Sequence, residues 1–476
     1  MRGRIILAAI FLAAFILLFR LALLAGEFDA IVTAAQFEAA RENHTTLRAF
    51  LHRMPKGGDL HTHLSGAIYA ERFIAWAVQE DSCVNLENVI LAKPQCDRTG
   101  TRPISDAMRD FLLTPTVPTG HDEFFAVFDR FAAVSGSRLA EMTVDQLRLY
   151  DAENVQYVEF MVSSWCPNDR EKFVRAIATA SDDASKLAAL EASGLAECVA
   201  AKRNDLAAAL GKISAALACD AANTQAGCGV AFRYIVQVYR DNTPDEVFVQ
   251  TATAAALIRS EPRLVGLNLV GPEDYLVARR DYTRHMEIIR FLAKDVPVAL
   301  HAGELWLGLV PPADLTFHIR QAVEIAGARR IGHGVTLAFE RDAQDLLAQM
   351  RARPVVVEIN LTSNDLILGV RGKDHPFPVY VAAGVPVVLS SDDAGVSRID
   401  LTNEYFRAAR DYGLGYPELK AIARNSLTYS FLDDTQKRDQ LERFERRCAE
   451  FERSVASRQS PLSKAVALIK AAVTAP

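Results

Sequence analysis

The chain has 476 residues, half of them apolar and 24% charged, with a formal net charge of −6. That size and apolar content exclude a disordered chain and suit an enzyme-sized globule, such as one β/α barrel of roughly 250 residues carrying insertions. The mildly acidic balance, without a basic stripe interleaved with aromatics, argues against nucleic acid as a partner.

In chain order, Arg2 and Arg4 precede an unbroken apolar stretch from Ile5 to Phe19, followed by Arg20, Leu21 to Ala25 and Gly26. This is the layout of an export signal. Residues 1–26 are read as a signal peptide, with a mature start near Glu27. An uncleaved anchor is the alternative, because Ile5 to Ala25 approaches the roughly 20 residues that span a bilayer; only then is a membrane a partner. Glu27 to Arg53 reads as a helical lead-in.

Eight runs rich in apolar and β-branched residues, bounded by Gly, Pro, Asn and Asp, then read as strands. They are Gly57 to Gly66, Val155 to Ser163, Val230 to Arg240, Leu264 to Gly271, Val296 to Glu304, Arg330 to Gly334, Val355 to Asn360 and Pro386 to Asp393. Helical patterns fill most intervals, such as Asp281 to Lys294, Leu315 to Ala328 and Arg341 to Ala352. Alternation of this kind implies parallel pairing with crossover helices. The fold expected over 54–432 is therefore a TIM-type (β/α)8 barrel. It carries insertions at about 81–118 after the first strand and 166–228 after the second. Helices are expected over Pro417 to Leu432, and a C-terminal helical extension over 433–476.

The seven cysteines fit an oxidising compartment. Cys83 with Cys96, and Cys219 with Cys228, would each close a short loop. Cys166 is open to pairing with Cys198, which leaves Cys448 as the odd residue. None has the CxxC spacing of a zinc ribbon or redox motif.

Chemistry collects at the strand ends. Side chains at i and i+2 of a strand share a face, so His61 and His63 aim at one point. His301 and Asp392 close two other runs. Three neutral imidazoles and one carboxylate suit a single zinc ion with an open position for water, whose pKa such a site lowers from 15.7 to near ~7. Glu304, just beyond its strand, reads as the general acid/base. His333, between Gly332 and Gly334, would orient the activated water or take its proton. Asp392 and Asp393 would diverge if the strand continues through them, one facing the metal and the other the substrate.

Taken together, Met-Pro-Lys-Gly-Gly-Asp-Leu-His-Thr-His-Leu-Ser-Gly at 54 to 66, Leu-Val-Gly-Pro-Glu at 269 to 273, His-Ala-Gly-Glu at 301 to 304, Arg-Ile-Gly-His-Gly at 330 to 334, Leu-Ser-Ser-Asp-Asp at 389 to 393 and Leu-Thr-Asn-Glu-Tyr at 401 to 405 resemble the adenosine deaminase family of the amidohydrolase superfamily. With the export signal, the chain is most similar to the family's secreted or periplasmic branch, which includes the adenosine deaminase-like growth factors. The resemblance implies His61, His63, His301 and Asp392 as zinc ligands, Glu304 as the proton donor to purine N1 and His333 as the group that activates the water. It implies Asp393 at purine N7 and the Gly271 N–H at N3. Its reaction is deamination of adenosine or 2′-deoxyadenosine to inosine or 2′-deoxyinosine, so the partner is a small purine nucleoside.

Three departures stand out. Ser65 replaces an acidic residue common near the ribose 5′-hydroxyl, Asn268 stands where Asp is frequent, and Ala394 where Pro commonly follows the Asp pair, which puts sugar recognition in question. Arg371, Lys373 and Arg398 lie in loops where barrels often hold phosphate, so AMP stays open as a substrate beside adenine. A cyclic amide hydrolase is disfavoured because the fourth strand ends in Gly271-Pro272 without the Lys that would bridge a second metal. The deaminases that act on bases in nucleic acid carry a His-x-Glu with Pro-Cys-x-x-Cys signature that this chain lacks. An extracellular signalling or binding protein on the same barrel is the reading from a different class.

Overall fold

The computed structural model describes residues 26–85, 89–96, 100–104, 120–163, 166, 169–219, 225–460, 464, 466 and 467. All eight expected strands form: Gly58–His63 (β1), Tyr157–Ser163 (β2), Ala231–Tyr239 (β3), Leu264–Val270 (β4), Ala299–Ala302 (β5), Arg330–His333 (β6), Val356–Ile359 (β7) and Val387–Leu389 (β8). Their apolar runs are buried along nearly their whole length, as strands covered on both faces require.

The ladders run β1-β2-β3-β4 and β5-β6-β7-β8, parallel throughout. Two bridges join them into a closed barrel. Leu267 meets Val298 between β4 and β5, and Thr62 meets Asp392 between β1 and the residues after β8. At the second seam Asp392 N–H donates to His61 O at 2.9 Å and His63 N–H to Asp392 O at 3.1 Å.

Helices such as Pro244–Ser260, Tyr282–Leu292 and Ala343–Ala352 return the chain between strands. The first opens with a capping box, Thr243 and Glu246 each satisfying the other's backbone N–H. The expected helix over Leu315 to Ala328 is broken. A 3-10 turn at Pro312–Thr316 follows the Pro311-Pro312 pair, then come one α-turn at His318–Gln321 and a π-turn at Ala322–Ala326, ended by Gly327 in the left-handed region.

The insertion after β1 holds three two-residue antiparallel strands and the helix His121–Ser135, with 105–119 outside the described residues. The one after β2 holds helices Arg170–Ile177, Asp183–Ala192 and Leu195–Leu217. Beyond β8 come Leu401–Tyr412, Tyr416–Thr428 and Asp434–Ser457. Cys83 pairs with Cys96, Cys166 with Cys198 and Cys219 with Cys228, while Cys448 is free and buried. The expected export signal lies, Gly26 apart, outside the described residues. Among the described residues no helix is long and apolar enough to cross a membrane.

Candidate active site

Three buried groups, His61, His301 and Asp392, and the partly buried His63 converge at the carboxyl end of the barrel. His63 Nε2 lies 3.1 Å from His301 Nε2 and 3.4 Å from Asp392 Oδ1, and His61 Nε2 lies 3.5 Å from the same oxygen. Gly332 makes room for this approach: a Cβ there would sit 2.5 Å from His61 Cε1. Asp392 does not continue the strand, which ends at Leu389. Its φ of 57° places it in the left-handed region, and that turn, stitched on both sides to β1, aims its carboxylate at the histidines.

Each imidazole is oriented from behind. Glu358 on β7 accepts from His61 Nδ1 at 2.6 Å and is itself held by Arg330, whose Nε is 2.6 Å from Oε1 and whose Nη1 is 2.7 Å from Glu159. Asn268 Oδ1 accepts the His301 backbone N–H at 3.1 Å, which fixes that oxygen toward the ring, where it meets Nδ1 at 2.8 Å. The Gln237 amide lies 2.8 Å from His63 Nδ1. Asn268 therefore braces a histidine, and its departure from Asp changes that brace.

With the Nδ1–H groups of His61 and His301 given to acceptors, their Nε2 lone pairs point inward. His61 Nε2 and Asp392 Oδ1 have no hydrogen-bond partner although buried. Facing lone pairs repel unless a cation lies between them, so the donor set fits a divalent metal. His333 also belongs to a metal-competent group with His61, His301 and Asp392, as Asp393 does with His63 and Asp392. Without a cation, burial lowers the His61 pKa, but the carboxylates of Asp392 and Glu358 outweigh it and hold it up near about 10. Burial lowers His63 to about 4, and it lowers His301 well below its usual value, with the other imidazoles adding to it. Against the pull of burial, His61, then His333 and His63, hold Asp392 below the carboxylate range.

The proton-transfer candidates stand around this cluster. Burial, then the charges of Asp392 and Glu273, raise Glu304 well above its usual pKa, which favours its neutral carboxylic acid form. Burial and Asp392 do the same to Asp393, which packs against Gly66 so closely that a Cβ there would overlap its carboxylate. His333 Nε2 is 3.7 Å from Asp392 Oδ2, and burial lowers its pKa to about 3. Glu273, quoted in a motif above without a role, accepts Gly303 N–H at 3.1 Å and Glu304 N–H at 2.7 Å. Arg240, 3.2 Å away, and His318, 2.6 Å away, hold it in turn. Arg240 also donates to His301 O at 2.5 Å.

A cavity of about 950 Å³ opens over the cluster, lined by His63, Ser65, Gly271, Glu304 and Asp393 at its inner end. Its outer walls come from the insertions, including Phe124, Phe128 and Lys212. None of these was singled out from sequence, because no local motif places an insertion helix over a barrel mouth. Arg371, Lys373 and Arg398 do not line it. Arg398 pairs with Glu71 at 2.7 Å and Arg371 with Asp365 at 3.3 Å, and Asp400 pairs with Arg48. Ala394 is buried outside the cavity lining.

A parallel eight-stranded barrel with this cluster at its carboxyl end defines the class, an amidohydrolase of the β/α-barrel type. The adenosine deaminase family model matches residues 55–446, and the chain belongs to that family. It is 33% identical to an adenosine deaminase of Enterococcus faecalis over 181 residues, 37% of this chain and 49% of that protein. To an aminodeoxyfutalosine deaminase of Streptomyces coelicolor it is 35% identical over 204 residues, 40% of this chain and 47% of that one. The matched part thus spans less than half the length of these curated relatives. In fold it is similar to the N6-methyl-AMP deaminase from Arabidopsis thaliana, with a TM-score of 0.57, 20% identity and coverage of 84% and 98% of the two chains.

Proposed function

We propose that the chain is a zinc-dependent deaminase of a free 6-aminopurine nucleoside, converting adenosine or 2′-deoxyadenosine and water to inosine or 2′-deoxyinosine and ammonia. One observation carries this: the buried carboxyl of Glu304 faces the same cavity as the inward lone pairs of the histidine cluster, and burial favours its neutral, proton-donating form. His61, His63, His301 and Asp392 would hold one zinc ion, whose Lewis acidity brings water's pKa to near ~7.

The chain's own residues supply the rest. Glu304 gives its proton to purine N1, which makes C6 electrophilic. The oxygen of water adds to C6, the C6–N6 bond breaks, and water's two protons end on Glu304 and on the departing ammonia. Asp393, kept protonated, donates to N7, an acceptor that a carboxylate would repel. Gly271 N–H meets N3, and Ser65 offers a neutral hydrogen bond to the ribose.

The outer wall favours a nucleoside over a nucleotide. Among the described residues that line the cavity, Asp129, Glu141, Asp205 and Asp241 outnumber Lys202 and Lys212, and Lys202 pairs with Asp205 at 3.0 Å. A 5′-phosphate would meet more negative than positive charge there. The three disulfides support export, with residues 1–26 as the cleaved signal.

The deciding experiment measures zinc content and then kcat/KM for adenosine, 2′-deoxyadenosine, AMP and adenine by the absorbance change at the purine. A nucleoside preference is expected. A preference for AMP overturns the choice of substrate, and the absence of turnover on all four overturns the function.

A further inference from the structure

His333 was left with two roles, donor to the attacking water or acceptor of its proton. The two require opposite tautomers of a neutral ring. With the proton on Nε2 the ring donates toward the metal cluster, and with it on Nδ1 the Nε2 lone pair can act as a base. Hydrogens on a histidine follow from its partners, and here the partners lead back to a backbone amide.

Phe377 N–H donates to His375 Nδ1 at 3.1 Å. A backbone N–H can only donate, so this nitrogen of His375 is a lone pair. Burial pushes the His375 pKa down to about 3, and the ring is neutral with its proton on Nε2. That Nε2–H meets Asn364 Oδ1 at 3.0 Å, which fixes the amide's orientation. Asn364 Nδ2 is thereby turned to His333 Nδ1 at 2.8 Å and donates to it. All three side chains are buried. Asn360 Nδ2 is nearly equidistant from the two ring nitrogens, 3.4 Å from Nδ1 and 3.5 Å from Nε2, and favours neither tautomer. The nearest carboxylate oxygen, Glu304 Oε1, is 3.6 Å away, beyond hydrogen-bond reach. The proton of His333 is left on Nε2, which faces the Asp392 side of the cluster.

We infer that His375 and Asn364 are positioning residues that hold His333 as its Nε2–H tautomer, so that it donates a hydrogen bond to the attacking oxygen and does not take that oxygen's proton. The catalytic half of this statement rests on the deaminase reading; the tautomer rests on the hydrogen-bond chain alone. Neither His375 nor Asn364 touches the cluster or lines the cavity.

The test uses the full zinc-loaded chain with 15N-labelled histidine. Long-range 15N–1H correlation separates protonated from bare ring nitrogens, and the His333 signals are those missing from His333→Ala. The expected wild-type pattern is protonated Nε2 and bare Nδ1. Asn364→Asp is the decisive variant, because a carboxylate of the same shape accepts from Nδ1 and reverses the tautomer, giving the Asp–His pairing that serves histidine bases elsewhere. If His333 is a donor, Asn364→Asp keeps its zinc and its KM within about twofold and loses about 10 to 100-fold in kcat, as changed outer partners of a metal site do. A bare Nε2 in the wild type overturns the inference, and so does Asn364→Asp with kcat equal to or above wild type. Should no purine be turned over, the function reading fails while the wild-type spectrum still decides the tautomer. The same spectrum decides it if Asn364→Asp does not fold.

Discussion

The two halves of the cavity are built by different means. At the inner end each metal-facing histidine is gripped from a different strand, by Glu358, Asn268 or Gln237, and Glu304 is held through its own backbone by Glu273. The outer end is walled by insertion helices bearing aromatic side chains. All three disulfides lie in those insertions and none in a barrel strand. Reaction geometry tolerates little displacement, so it sits on interlocked strands, whereas substrate fit can vary on elements pinned by a few covalent ties.

The largest effect that could break this division is at the metal. His301→Ala is expected to lose the ion and all turnover, whereas Glu304→Gln keeps the ion and loses 10² to 10⁴-fold in kcat. Normal metal content in His301→Ala, measured by elemental analysis, would dismantle the inner site as described. Next comes the brace behind it: Asn268→Ala should weaken metal affinity by about 10 to 100-fold in a chelator competition, and unchanged affinity would mean the grip on His301 is idle. On the outer side, Phe128→Ala should raise KM about tenfold, equivalent to about 1.4 kcal/mol, with kcat held within twofold. A kcat loss there would erase the separation between the halves.

The smallest effect concerns pH. Glu404, in the helix Leu401–Tyr412, accepts from Thr362 N–H at 3.2 Å, and burial raises its pKa from 4.5 to about 7. Between those values the folded protein keeps a proton that the unfolded chain has released, so this group's contribution to stability falls as pH rises from 4.5 to about 7 and is level outside that window. Glu404→Gln should therefore lose less Tm than the parent between about pH 4.5 and about pH 7 in paired thermal melts. Equal losses would show that Glu404 carries no such burden.

The strands were legible because a buried parallel strand must be apolar on both faces, a local property. The residues that gather at the candidate site were legible because they close those same runs. What escaped is what depends on distant pairing: Glu358 reaches His61 across 297 positions and Gln237 reaches His63 across 174. Asn268 was read as a change near the sugar, although it faces His301, because a strand residue's face does not reveal its partner. The helix expected at Leu315 to Ala328 failed for a local reason, since its apolar spacing says nothing of a wide turn that closes Ala328 N–H onto Ala322 O at 2.9 Å. The cavity's aromatic wall was hidden for the same reason as the braces.

The seam between β1 and Asp392 also sets when the candidate site can be assembled during synthesis. Thr62 and Asp392 stand 330 positions apart, and the first strand's histidines receive their carboxylate only when the last strand is laid beside them. A nascent chain that has emerged as far as β7 holds three of the four groups without the closure that aims the fourth. Long-range closure of this kind is slow compared with local helix formation. The four donors therefore reach their final geometry late, and a divalent ion held by them would tie the ends of the barrel together as a clasp locks a ring.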